Sequence, residues 1–171
     1  MNLADQLRTV FKEDDSDTSL RKWACYLSEN KVDLQDLLLL LDEDRFTAMR
    51  FLWLMGGLVE IDPERVAPVV PYLFAKRFEV QVPNYDRSIA KFCWLAGIPE
   101  ELEGEVIDVL FQWILDPKMS TSTKGFAVSA LFKQTEKHPE LKHELKIVIE
   151  DQLTKNGVSF EKRAGKVLLK L

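Results

Sequence analysis

Residues 86–99 read Asp86-Arg87-Ser88-Ile89-Ala90-Lys91-Phe92-Cys93-Trp94-Leu95-Ala96-Gly97-Ile98-Pro99. Residues 44–56 read Asp44-Arg45-Phe46-Thr47-Ala48-Met49-Arg50-Phe51-Leu52-Trp53-Leu54-Met55-Gly56. Both open on Asp-Arg, place alanine three residues after that arginine, and close on basic-Phe-x-Trp-Leu-x-Gly. One helix has been used twice. Self-similarity of this kind marks a repeat architecture, in which each unit is one supersecondary element that buries its apolar face only against its neighbours.

Outward from these two stretches, the same landmark returns. A basic residue stands three before an alanine at Arg21/Ala24, Arg45/Ala48, Arg87/Ala90 and Lys124/Ala127; a fifth copy, Ala164, has Glu161 in that place. Pro-Glu recurs at 63, 99 and 139 and opens the helix after a landmark helix. The unit is therefore helix A, a turn, and helix B, with the basic residue at the start of B. The apolar spacing predicts further helices over 2–12, 17–29, 33–41, 62–77, 99–115, 122–136, 139–153 and 159–171. Asp17 or Thr18, Asp33, and Ser159 are expected as caps. The five leucines 37–41 are apolar all round, so their helix is covered on more than one side. Pro68 and Pro71 predict a kink, or a start near Pro68. Val80-Gln81-Val82 is too short for a strand.

The pattern resembles the HEAT-repeat family, close kin of armadillo repeats. The matching residues are Arg45, Ala48 and Leu52, then Arg87, Ala90 and Trp94, then Lys124, Ala127 and Leu131; Asp116-Pro117 matches the turn between A and B helices. The resemblance implies an all-α fold: a right-handed α-α superhelix of about five helix pairs, without a sheet, as a single domain over 1–171. It also implies a protein-interaction scaffold whose B helices line the contact surface. Candidate contact residues outside the alanine stripe are Lys22, Tyr26, Met49, Arg50, Lys91 and Lys133. The irregular stretch 78–85 adds Asn84 and Tyr85. The Asp-Arg pairs are read as structural, the acid capping its helix and the arginine bridging to a neighbouring unit, and Trp53 and Trp94 as packing between helices.

The bulk numbers narrow the partners. The chain has 171 residues, is 46% hydrophobic and carries a formal net charge of −5. That is enough apolar material for a real core, and the acidic balance counts against nucleic acid. The resemblance nonetheless carries a second reading: some HEAT-like solenoids are DNA glycosylases with a basic groove and tryptophans, and Arg50, Lys91, Trp53 and Trp94 sit at matching places here. Phosphate contacts dominate affinity for DNA, so such a chain would need sharp charge segregation. Some segregation exists. Residues 1–44 hold eleven acids against five Lys/Arg, and residues 155–171 hold one acid against five. An acidic start and a basic last helix, with Val167, Leu168 and Leu171 partly uncovered, would permit self-association through the C-terminal helix.

No catalytic motif is present: there is no Gly-x-Ser-x-Gly and no glycine-rich phosphate loop. His138 and His143 are five apart and share no helical face, so no metal site is expected. Asp15-x-Asp17-x-Ser19 lacks the glycine and glutamate of a calcium loop and reads as a solvated capping segment. No cofactor is expected. Cys25 and Cys93 lie in apolar helical patterns and read as small core residues in a reducing compartment. The first residues carry no leader pattern and no apolar run spans a bilayer, so a cytoplasmic protein without a membrane segment is expected.

Overall fold

In the computed structural model of the protein, which describes residues 2–14 and 16–171, every regular element is helical. The chain divides into two compact units, Met1–Tyr85 and Asp86–Leu171. The first contains α1 (Leu3–Glu13), α2 (Asp17–Glu29), a 3-10 helix (Gln35–Asp42), α3 (Arg45–Ile61), α4 (Pro63–Val66) and α5 (Val70–Ala75). The second contains most of α6 (Tyr85–Leu95), then α7 (Glu103–Leu115), α8 (Thr121–Gln134), α9 (Leu141–Gln152) and α10 (Val158–Leu168). Among the described residues there is no strand.

The alanine stripe sets the packing. Ala24, Ala90, Ala127 and Ala164 are wholly buried and Ala48 is 2% exposed. A methyl group at these points lets the B helices approach closely. In the first unit α2 lies along α3, where a Cβ placed on Gly57 would come into ordinary contact with the Ala24 methyl. In the second, α8 is flanked by α7 on one side and α10 on another, with α9 closing against both α8 and α10. Leu110, Ile114, Val128, Leu131, Leu145, Ile149 and Phe160 fill the space between them. Burial of each such side chain stabilises by about 2 kcal/mol.

The leucine run differs from expectation. It is an eight-residue 3-10 helix, long for that form. Its spacing suits that turn: Leu34, Leu37 and Leu40 recur every third residue, as do Leu38 and Leu41. All five are buried, whereas Leu39 is 46% exposed. A three-residue turn stacks these leucines in two rows, so cover on more than one side holds for all but Leu39.

Helix ends fall near the expected caps, sometimes one or two residues off the expected position. Ser16, ahead of Asp17, caps α2 by accepting from Ser19 N at 3.2 Å, and Gly157, ahead of Ser159, precedes α10. Asp33 accepts from Gln35 N at 2.9 Å. Asp44 accepts from Phe46 N at 3.0 Å and Thr47 N at 3.2 Å, as its place before α3 requires. The Thr47 hydroxyl also donates to Asp44 at 2.7 Å, and this bond first, with the backbone bonds after it, holds the Asp44 carboxyl below its ordinary range. The proline pair breaks its helix as well as bending it. The segment starts at Pro63, passes through a 3-10 turn over Ala67–Val69, and resumes as α5. At the end of α6, Gly97 takes φ +97°, a left-handed conformation that ends the helix at low cost.

Candidate partner-binding surface

On α6, Arg87, Lys91 and Trp94 stand at i, i+4 and i+7, one stripe of the helix. On α8, Phe126, Ser129 and Lys133 form a similar stripe at i, i+3 and i+7. Arg163 projects from α10, next to the landmark Ala164. The structure joins the three into one cluster. The Trp94 and Phe126 rings stack with centroids 5.7 Å apart and planes 27° from parallel. The Arg163 guanidinium lies 5.0 Å from the Trp94 ring and 4.8 Å from the Phe126 ring. Arg87 covers Phe126 at 5.6 Å. Lys133 Nζ donates to the Trp94 carbonyl at 3.4 Å, a cation at the C-terminal end of α6.

Local sequence explains the fit. Gly125 leaves room for the Arg163 stem: a Cβ there would stand 3.1 Å from Arg163 Cδ. Ser129 Oγ donates back to Gly125 O at 3.1 Å and accepts from Arg163 Nη1 at 3.2 Å. The serine thus clamps one corner of the guanidinium while the rings hold its faces. Partial burial lowers the Arg163 pKa from its ordinary value. Among the described residues, Arg87, Lys133 and Arg163 make no ion pair with a carboxylate. Arg87 and Lys133 are exposed, and Trp94, Phe126 and Arg163 are half-buried. A guanidinium held over a ring face can still offer N–H groups to another partner.

The expected contact residues fare unevenly. Lys22 and Tyr26 are exposed and meet at a shallow apolar pocket with Trp23, whose ring takes the Tyr26 edge at 5.3 Å. Met49 and Lys91 are half-buried, and Asn84 is exposed at φ 63°. Two of the expected contact residues are buried. Arg50 is only 2% exposed; its Nη2 donates to Asp14 O at 3.3 Å and its guanidinium lies 5.5 Å from the Trp53 ring. Tyr85 is 4% exposed and donates its hydroxyl to Leu73 O at 2.7 Å. Its ring packs in the core because the irregular stretch folds back onto α5. Conversely Trp53, expected as packing, is 43% exposed.

Other expectations are corrected in the same way. Cys93 is buried and Cys25 is exposed, so only the first is a core residue. Lys124 departs from the other basic landmarks: it is 3% exposed, its Nζ donates to Gln152 Oε1 at 3.3 Å, and burial lowers its pKa. Arg45 is exposed and makes no ion pair among the described residues, and Arg87 reaches its neighbour through a ring face instead of a carboxylate. Val167 is 8% exposed, covered despite its place near the end of α10. His138 Nε2 pairs with Glu103 at 2.9 Å. No group of three metal-ligating side chains occurs among the described residues. Asp15 of the calcium-loop reading lies outside the described residues.

Sequence reasoning missed Phe126 and Arg163 as surface residues. A signal existed: each directly precedes its landmark alanine, so both occupy the same register position on successive B helices.

Stacked helix pairs, a buried alanine at each B helix and an A-to-B turn built on Asp116, whose carboxylate accepts from Lys118 N at 2.8 Å, define an α-helical repeat protein. The model of the HEAT repeat domain matches residues 3–163, and the chain belongs to that family. No curated protein and no solved structure matches it. Among the described residues, no helix is long and apolar enough to cross a membrane.

Proposed function

We propose that the protein is a non-catalytic interaction scaffold that holds a protein partner on the B-helix face of its second unit. HEAT repeats generally serve as protein-interaction scaffolds. The observation that carries the reading here is the cluster around Trp94 and Phe126. Two arginines lie over two stacked, half-buried rings, a lysine donates to the Trp94 carbonyl beside them, and among the described residues none of the three pairs with a carboxylate. Interfaces draw their energy from such aromatic and arginine anchors. Two free cysteines, one exposed, agree with a reducing, cytoplasmic setting.

The test is an affinity capture from lysate with wild type and the Arg87→Glu/Lys133→Glu variant side by side. Both substitutions fall on exposed side chains, so the fold should survive. A discrete protein held by the wild type and lost by the variant supports the reading. Equal capture by both removes the surface from consideration.

A glycosylase-like role on damaged DNA is the second reading, favoured by the stacked Trp94–Phe126 platform, since ring faces also stack bases. Its mark would be saturable binding of a fluorescent duplex that disappears steeply with salt.

A further inference from the structure

The partner's chemistry can be read from the same cluster, on the premise that this face is the binding surface. We propose that it takes an acidic protein segment, with carboxylates on the edges of Arg87 and Arg163 and an apolar side chain against the Trp94 and Phe126 rings. Arg163 is the centre. Ring faces and the Ser129 hydroxyl fix its plane before any partner arrives. An arginine so held loses little rotamer freedom on binding, and its fork of N–H donors matches a carboxylate bidentately. It is also a half-buried cation without a counter-charge among the described residues, and a carboxylate would supply one. Arg87 of α6 shares the Phe126 ring with it and Lys133 of α8 reaches the Trp94 carbonyl, so a segment lying across the cluster would meet a cation from each of the three helices.

Charge decides against nucleic acid as the occupant. Tight phosphate-backbone binding uses about six to ten cations, and the cluster offers three without carboxylate partners. The surrounding unit, residues 86–171, holds thirteen Lys/Arg against thirteen acids, and the chain as a whole is at −5. The positive field is local, on the scale of a short peptide.

The experiment measures fluorescence anisotropy of three probes on the full chain. They are a twelve-residue Glu/Asp-rich peptide containing one phenylalanine, its Lys/Arg-rich counterpart, and a twenty-base-pair duplex. The expected result is saturable binding of the acidic peptide alone. That binding should weaken about tenfold or more in Arg87→Glu/Lys133→Glu with an unchanged melting temperature, and should fall as salt rises. The acidic peptide failing to bind, or binding equally to the variant, overturns the proposal. So does preference for the basic peptide or for the duplex. If lysate capture still depends on Arg87 and Lys133 while the acidic peptide fails, the scaffold reading stands and only the partner chemistry falls. If neither depends on them, both fall.

Discussion

Arg50 and Lys91 show how one residue of register separates a buried cation from a half-buried one. Both precede a tryptophan by three, which makes them look equivalent in sequence. Measured from the landmark alanine they are not: Arg50 is two residues after Ala48, and Lys91 is one residue after Ala90. One residue turns a helix by about 100°. On α3, where Phe51, Leu52, Leu54 and Met55 are also buried, that turn carries the arginine inside. Position in the repeat was legible, but the helical phase was not, because the closing motif slides by one residue between copies. Arg50→Glu should therefore destabilise by about 3 kcal/mol or more, since it puts a carboxylate where a guanidinium was held between the Trp53 ring and a carbonyl. Arg45→Glu, on the exposed face of the same helix, should stay within about 0.5 kcal/mol. Denaturant midpoints of the two variants decide it; a wild-type midpoint for Arg50→Glu would place that side chain outside after all.

Elements were more legible than residues, because capping signals and apolar spacing act over a dozen positions and average out single errors. Each stretch expected to be helical is helical, the 62–77 stretch in broken pieces, and the landmark alanines fall on the buried stripe. What could not be read was helix type over the leucine run, since five consecutive leucines satisfy a 3.6-residue and a three-residue turn equally. The cap of α8 gives a direct test. Ser120 Oγ accepts from Thr123 N at 3.1 Å, and Ser120→Ala should cost about 1 kcal/mol in thermal or chemical unfolding.

Between elements, Glu103 at the start of α7 pairs with His138 and Lys137 in the turn after α8, at 2.9 and 3.0 Å. His138 first and Lys137 second hold its carboxyl below the ordinary value of 4.5. A carboxyl with a lower pKa folded than unfolded adds stability that is complete above its unfolded value. That stability is lost as pH falls through the folded value. Melting temperature should thus fall more steeply from pH 5 to pH 3 in the wild type than in Glu103→Gln. Parallel acid profiles would show that the pair contributes nothing.

For the molecule as a whole, repeat packing means that each unit's core rests on helix-to-helix contacts made at alanine, and opening one contact opens its neighbours. Cys93 and Cys25 report this without any added label site. Cys25 is exposed, whereas Cys93 lies in the core of the second unit with its thiol pushed up to about 12 by burial. The thiolate is the reactive form, so at pH 8 a disulfide reagent should titrate one thiol quickly in the native protein and two in denaturant. The slow thiol then reads the population of open molecules. In Ala127→Arg, a long charged side chain is forced into a position that is wholly buried between α8 and its neighbours, at a cost of about 3 kcal/mol. Because 1.4 kcal/mol is a factor of ten, Cys93 labelling should accelerate by about a hundredfold while Cys25 keeps its native rate. If Cys93 stays protected in that variant, Ala127 is not a close contact between B helices, and the register that organises the repeat must be redrawn.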